Sequence, residues 1–408
     1  MAAAESSKIN MPSGGGRVRS ATDDVDTILI GAGAIGEAVL YVEEQAYRSI
    51  IVAVDANTYP AAGQRLEELL RAKRLAVHVT IIKPDRQGDV IADEASLIQL
   101  LHDVKQQGAE AVIAVGGGTI HDIVRYCAYM AGIPFISVPT APSVDGFNSK
   151  GAPILIRGEK ITIAAIGPNA IFADLDVLMK APSALTAAGF GDMLGKYTSL
   201  FDWSFGSLTA GEPYSLAAAE RTRSALLQCV NQSELIARRQ EEGIAALMSA
   251  LIESGLAMLS FGQSHPASGA EHHLSHYWEM EYIRLGKRQL LHGAKVGAAC
   301  VEIARLYHRI ADEGIDGWSN SGSHERESPA AADAIAANWP QIRKHIADIP
   351  DSGTLTGLLR GIGGPASVSE LQVSDELLAR SMREAHRVRM NRYTLLRAYN
   401  ERANAANA

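Results

Sequence analysis

Cysteine is scarce. Only three occur in 408 residues (Cys127, Cys229 and Cys300), far apart and odd in number. That excludes a disulfide framework and a cysteine-based metal site, and it suits a reducing compartment. A basic excess is also lacking, with 38 Lys and Arg against 46 Asp and Glu and a formal net charge of −8. This argues against a dedicated nucleic-acid binder, whose basic footprint would raise the pI. No run of about 18 apolar residues is evident, so no membrane span is expected. The stretch MAAAESSKINMPSGGGRVRS lacks the apolar core of a signal peptide, and residues 1–24 read as a flexible tail. What remains, 47% hydrophobic and 21% charged, is a globular composition long enough for two or three domains. A cytoplasmic enzyme is the leading class.

From Val25 short apolar runs alternate with helix-like stretches. The runs are DTILI (Asp26 to Ile30), SIIVAVD (Ser49 to Asp55), AVHVTII (Ala76 to Ile82), AVIAVGG (Ala111 to Gly117) and PFISVPT (Pro134 to Thr140). Each is rich in Ile and Val and too short for a helix, as strands covered on both faces are. Between them, AAGQRLEELLRAKRLA and SLIQLLHDVKQQG carry apolar residues at helical spacing, the second ending on a glycine stop. This is the βαβ alternation of a parallel, doubly wound sheet. After about Pro182, Ala- and Leu-rich helical segments dominate, which predicts an α/β dinucleotide-binding domain over 25–182 and a mostly helical domain over 183–408. The polar segment Asp312 to Ala331 reads as a surface loop, and the cluster Arg71, Lys73 and Arg74 as a solvated helix face.

Two glycine-rich turns compete for a phosphate. GAGAIG (Gly31, Gly33, Gly36) follows a strand, opens a helix and precedes Asp55, matching the dinucleotide fingerprint. In AVIAVGGGTIHD, the glycines Gly116, Gly117 and Gly118 end a strand and lead into a helix with Asp122 in its first turn. Glycines let a backbone approach pyrophosphate, and a helix N-terminus offers free amides and a positive dipole. Asp122 there could equally be a cap, and either glycine site could be a tight turn only.

Four strings downstream decide between them: VPTAPSVDGFNS (Val138 to Ser149), GFGDMLGKYTSLFDW (Gly189 to Trp203), SGAEHHLSHYWE (Ser268 to Glu279) and LLHGAKVG (Leu290 to Gly297). Taken with GGGTIHD and in this order, they resemble the glycerol-1-phosphate dehydrogenases. That family lies within the superfamily of iron-containing alcohol dehydrogenases, glycerol dehydrogenases and dehydroquinate synthases. The likeness runs from about Thr27 to Gly297, with an echo in VRMNRYTLLRAY near the end. It implies a Rossmann-like N-terminal domain with a helical C-terminal domain, and it makes GAGAIG a turn that imitates the dinucleotide motif.

The same resemblance distributes the site residues. NAD(H), and also NADP(H), would lie along Gly116, Gly117, Gly118, Thr119, Ile120, His121 and Asp122, then Thr140, Ala141, Pro142, Ser143 and Ser149. Asp55, ending a strand, can accept hydrogen bonds from the adenosine ribose and repel a 2′-phosphate. One divalent metal would be held by Asp192, His272 and His292; a carboxylate with two imidazoles leaves open positions and accepts nickel, zinc or ferrous iron. From the residues alone, His272 and His276 could be joint ligands, since they share a helix face. The resemblance instead gives His276 to the substrate, along with Asp145 and Asp192.

Asp192 could merely cap or pair with Lys196, but in GFGD, after Gly189 and Gly191, it reads better as a ligand on a tight turn between the domains. His273 reads as structural, His265 as part of a turn, and Phe201 and Trp203 as core. The implied reaction is the reversible, NAD(P)-linked interconversion of dihydroxyacetone phosphate and sn-glycerol 1-phosphate, with a small phosphorylated substrate, no nucleic acid and a homodimer. Lys196, His276, Arg389 and Arg392 are candidate phosphate contacts. The alternatives are a polyol or glycerol dehydrogenase, a dehydroquinate-synthase-like cyclase, and a non-catalytic sugar- or nucleotide-binding module. The cyclases typically use Glu where this chain has Asp192.

Overall fold

The computed structural model describes residues 18–22, 24–316, 318 and 329–406. The chain forms two compact units. The first takes the described residues up to Gly189 together with Asn231–Gln263, and the second takes Phe190–Val230 and those from Ser264 onward.

In the first unit, β1 (Val18–Thr22), β2 (Val25–Gly31), β3 (Ser49–Val54), β4 (Ala76–Ile81), β5 (Ala111–Gly116), β6 (Phe135–Pro139), β7 (Gly151–Ile156), β8 (Glu159–Ala164) and β9 (Ala170–Asp174) are the strands. Seven form one sheet in the order β1-β2-β9-β6-β5-β3-β4; β1 is antiparallel to β2 and the other pairings are parallel. All five expected runs are strands of this sheet. Three features were not legible: β1, which begins inside the expected tail; β9, a five-residue run inserted between β2 and β6; and the separate hairpin β7–β8. Helices α1 (Ala34–Glu44), α2 (Gln64–Ala72), α3 (Glu94–Gln107) and α4 (Gly118–Ala131) alternate with the strands, and the short α5 (Leu175–Leu178) follows β9. Alternate residues of one strand feed different cores. Ile50, Val52 and Val54 of β3 pack with α1 and α2, whereas Ile51 and Ala53 pack with α3 and α4. That is the period-two consequence of burying a strand on both faces.

Helix α6 (Ser183–Leu194) carries the division between units at Gly189. Helices α7 (Lys196–Ala210) and α8 (Leu216–Asn231) follow, then the short α9 (Ser233–Ala237) and α10 (Glu241–Phe261). The chain then continues through α11 (Ala270–Arg284), α12 (His292–Glu313), α13 (Pro329–Ala347), α14 (Ser352–Gly361), α15 (Asp375–Glu384) and α16 (Leu395–Ala406). A 3₁₀ turn, Ala385–Arg389, lies between the last two. The expected loop at 312–331 overlaps the end of α12, and its stretch 319–328 lies outside the described residues.

Helix α10 corrects one expectation and shifts another. By length and composition it is apolar enough to cross a membrane, although no such stretch was read in the sequence. Of its most apolar window, 83% is buried. Ile244, Met248, Ile252, Leu256 and Leu259 share a core with Ile28 and Ile30 of β2 and with Ile171 and Ala173 of β9. A helix apolar all round must be enclosed, and this one is enclosed by the sheet of the first unit rather than grouped with the helices that flank it in sequence.

Candidate functional site

In the first unit, β5 and β6 run parallel with Gly116 opposite Pro139. The triple-glycine turn and the stretch 140–149 therefore leave the same carboxyl edge of the sheet, where parallel α/β sheets take ligands. Asp55 leaves that edge from β3, the neighbour of β5. The amide of Thr140 donates to the Gly116 carbonyl (3.1 Å), joining the two glycine- and hydroxyl-rich stretches. Helix α4 starts at Gly118 with Gly117 before it, and no side chain caps it. Thr119 is exposed at this end, whereas Thr140, Ala141, Pro142, Ser143 and Ser149 are buried.

Ile120 and His121 turn their side chains inward. His121 Nδ1 lies 2.8 Å from the Gly117 carbonyl and Nε2 lies 2.7 Å from Ser137 Oγ. Burial pushes its pKa down to about 4. The neutral ring thus donates to the carbonyl and accepts the hydroxyl, supporting the turn from beneath. Asp122 lies beyond the first turn, so it is not the cap it resembled; it pairs with Arg125 (2.8 Å). The buried Arg125 also donates to the carbonyls of Gly146 (2.9 Å) and Gly151 (2.6 Å), mooring the stretch that carries Asp145 and Ser149 onto α4. From α10, Ser254 donates to Asp145 Oδ2 (2.7 Å). Neither Arg125 nor Ser254 stood out in the sequence, because each acts through a partner more than a hundred or twenty residues away, respectively Ser254 to Asp145 and Arg125 to Gly146.

The competing GAGAIG turn is filled from within. Gly33 holds φ at +72°, a conformation natural to glycine. The amides of Gly33 and Ile35 donate to the buried carboxylate of Asp174 at 3.1 and 2.9 Å. A carboxylate at the end of β9 thus takes the place that an anionic ligand would need at the start of α1.

The second unit holds a metal-type cluster. Asp192, His272 and His292 each offer a ligand atom, all within 4.8 Å of one another. Asp192 lies within helix α6, not on a turn as Gly189 and Gly191 before it suggested. Gly191 explains why this carboxylate meets α12. A Cβ built there would stand 2.5 Å from the Gly293 carbonyl oxygen, so α6 and α12 approach backbone to backbone beside Asp192 and His292. His272 and His276 project one turn apart from α11, with ring centroids 6.4 Å apart; His276 is 6.1 Å from His292.

Two neighbours tune the cluster. Glu271 accepts from His272 Nδ1 (2.7 Å), and also from the Gly269 amide and the Thr198 hydroxyl, each at 2.7 Å. That fixes the tautomer, leaving Nε2 as the ligand atom. Sequence reasoning missed Glu271 because adjacent helical residues ordinarily face apart; it folds back across the first turn of α11. Lys196, fully buried, donates to Asp192 Oδ1 (3.0 Å) and to the Ala267 carbonyl (3.2 Å). The Asp192–Lys196 pair therefore exists alongside the cluster rather than instead of it. Beneath them, Asp202 accepts from the Ala270 amide and Tyr307, and burial, then the charge of Glu271, pushes its carboxyl up to about 7. Phe201 and Trp203 are core as expected, His265 lies in a turn beside Glu212, and Arg71, Lys73 and Arg74 are exposed.

The model of the iron-containing alcohol dehydrogenase family matches residues 29–182. A glycerol-1-phosphate dehydrogenase [NAD(P)+] from Geobacillus stearothermophilus is 43% identical over 92% of this chain and 93% of its own length. The protein of that name from Bacillus subtilis is 44% identical, covering 92% and 91%; that from Pyrococcus furiosus is 31% identical, covering 90% and 92%. Among solved structures, glycerol dehydrogenase from Schizosaccharomyces pombe shares the fold at a TM-score of 0.65 and 19% identity, covering 93% of this chain and 87% of its own. On this ground the chain belongs to the glycerol-1-phosphate dehydrogenase family, among the iron-containing alcohol dehydrogenases.

Proposed function

We propose that this chain interconverts dihydroxyacetone phosphate and sn-glycerol 1-phosphate with NAD(P)H and one divalent metal ion. The observation that carries the reading is the Asp192, His272 and His292 cluster in a chain of this family. The donor set fits an ion: His272 Nε2 stands 3.7 Å from Asp192 Oδ1, near the roughly 3.4 Å separating two ligands of a tetrahedral ion with bonds of about 2.1 Å. One oxygen and two imidazole nitrogens suit nickel, zinc or ferrous iron. When bound, the ion supplies Lewis-acid polarisation of a ketone oxygen and the nicotinamide supplies the hydride.

The chain's own groups do the positioning. Asp192, His272 and His292 would hold the ion, with Glu271 orienting His272 and Lys196 orienting Asp192. His276, one turn from His272, would hydrogen-bond the substrate, and Asp145, held by Ser254, would receive a substrate hydroxyl. Gly116, Gly117 and Gly118 with the start of α4 would take the pyrophosphate. Asp192 in place of the glutamate typical of dehydroquinate synthases counts against the cyclase reading. The proposal extends to a homodimer in the cytoplasm, the former checked by sedimentation.

The test is chiral. Metal-loaded protein is incubated with dihydroxyacetone phosphate and NADH, and the product is offered to an sn-glycerol-3-phosphate-specific oxidising enzyme. The product is expected to resist it. Its consumption would show the opposite hand, and equal rates with plain dihydroxyacetone would favour the glycerol dehydrogenase reading.

Cofactor choice is a second expected outcome. Asp55 Oδ1 accepts the amides of Asn57 and Thr58 (both 2.8 Å), closing the turn that follows β3. That bonding orients the carboxylate at the edge where a ribose would lie. A 2′-phosphate there would meet a like charge, which costs several kcal/mol, so NADH is expected to be preferred. Asp55→Ser keeps a turn-forming oxygen and is expected to move the ratio of kcat/KM values at least about tenfold toward NADPH. Equal efficiency with both cofactors in the unaltered protein removes the argument.

A further inference from the structure

A cationic cluster lies against the first turn of α11, next to the turn that carries His272. Arg389, half-buried, donates to the hydroxyls of Ser264 (2.8 Å) and Ser268 (3.2 Å). No carboxylate pairs with it among the described residues. Arg392 is buried; its Nε meets Glu212 (3.2 Å) and its Nη1 donates to the Ser268 carbonyl (2.6 Å). Its Nη2 is buried with no hydrogen-bond partner. His273, 1% exposed, has no partner for either ring nitrogen.

A purely structural cluster would not be built this way. Buried polar groups are satisfied in the great majority of native cases, and among the described residues the one carboxylate at this cluster, Glu212, meets Arg392 through Nε and leaves Nη2 unmet and Arg389 without an anion. Here Arg389 holds only two serine hydroxyls, Arg392 keeps one buried N–H group unmet beyond its bonds to Glu212 and the Ser268 carbonyl, and the ring of His273 adds an unmet N–H. The unmet N–H groups and the half-buried Arg389 call for acceptors, and the chemistry that supplies several acceptor oxygens with negative charge is an oxyanion such as a phosphoryl group.

We propose that Arg389, Arg392, Ser264, Ser268 and His273 form a subsite for a phosphoryl dianion, and that this is the phosphate of the substrate. The assignment rests on the substrate being a phosphorylated ketone, as read above. His273 adjoins the metal ligand His272 in the same helical turn, so an anion held here would lie within one small molecule's reach of that turn. The same phosphoryl chemistry exists in the 2′-phosphate of NADP, and the experiment separates the two sources.

Three measurements test it. In the first, kcat/KM is measured for dihydroxyacetone phosphate and for dihydroxyacetone in the metal-loaded protein and in Arg389→Met. The discrimination between the two substrates is expected to fall about 100-fold, the scale of losing a charged partner of a bound phosphate, while the NADH-to-NADPH ratio stays the same. In the second, inorganic phosphate is titrated calorimetrically into the full chain; binding is expected and should be lost in Arg389→Met. The third uses His273→Leu, which fills the site with an apolar group of similar size and should keep the thermal midpoint while weakening phosphate binding. Arg389→Met or His273→Leu proteins that retain both discrimination and phosphate binding overturn the subsite. A change confined to NADPH assigns it to the cofactor and overturns the substrate assignment. Unaltered protein that fails to prefer the phosphorylated ketone, yet binds inorganic phosphate through Arg389, overturns the substrate reading and leaves the anion site standing.

Discussion

Replacing His292 or His272 with alanine is expected to abolish stoichiometric metal binding and lower kcat/KM for dihydroxyacetone phosphate by at least roughly 10²–10³-fold, the scale on which removing charge stabilisation of a developing oxyanion acts. Each imidazole is one of three donors gathered within 4.8 Å, and two remaining donors neither hold an ion tightly nor fix its open positions. Glu271→Gln should give a graded result. It keeps the shape of the side chain but weakens the acceptor for His272 Nδ1, and such outer partners are worth about 10- to 100-fold in affinity or activity. Metal content by inductively coupled plasma analysis, read beside the kinetics, checks the series. The ordering is the sharp point: His292→Ala worst, Glu271→Gln intermediate. His276→Ala should keep the ion while losing turnover. If His276→Ala released the metal and His292→Ala retained it, the ligand assignment would be wrong.

A substitution that touches no ligand should be nearly as damaging. Gly191→Ala places a methyl group 2.5 Å from the Gly293 carbonyl oxygen and 3.5 Å from the Cα of Gly297. Both contacts are backbone, so neither can swing aside, and α6 must move away from α12. Overpacking of this kind costs about 1–3 kcal/mol. It also shifts Asp192, the next residue, relative to His292, and displacement of a catalytic group by about 1 Å can cost roughly 100-fold. The expected result is a lower thermal midpoint together with weakened metal binding in a protein whose three ligands are intact. Gly36→Ala is the contrast. A methyl group there meets nothing within 4 Å and sits inside α1, where alanine is favoured over glycine by up to about 1 kcal/mol. It should raise the midpoint and leave NADH affinity unchanged, whereas a pyrophosphate site at GAGAIG would lose affinity.

The sequence by itself determined the βαβ half, because strands buried on both faces must be short Ile- and Val-rich runs and their linking helices must show the 3.6-residue period. It also determined which residue types were available for a metal and a dinucleotide, since EHHLSH, GFGD, LLHG and GGGTIHD stand out against a composition poor in cysteine. What it could not supply were the pairings made across the fold. That Asp174 fills the GAGAIG turn follows from β9 lying beside β2, and the five-residue run of β9 carries no long-range address. That α10 covers the sheet rather than joining the helices around it reflects an all-apolar surface, which demands burial but does not say against what. Glu271, Arg125 and Ser254 acquire their roles only when a hydrogen-bonding partner is brought to them. Asp192 and His292, a hundred residues apart, become one site because two glycine-lined helices can approach closely enough to let their backbones touch. Local periodicity is written along the chain, whereas complementarity between distant surfaces exists only after the chain has folded.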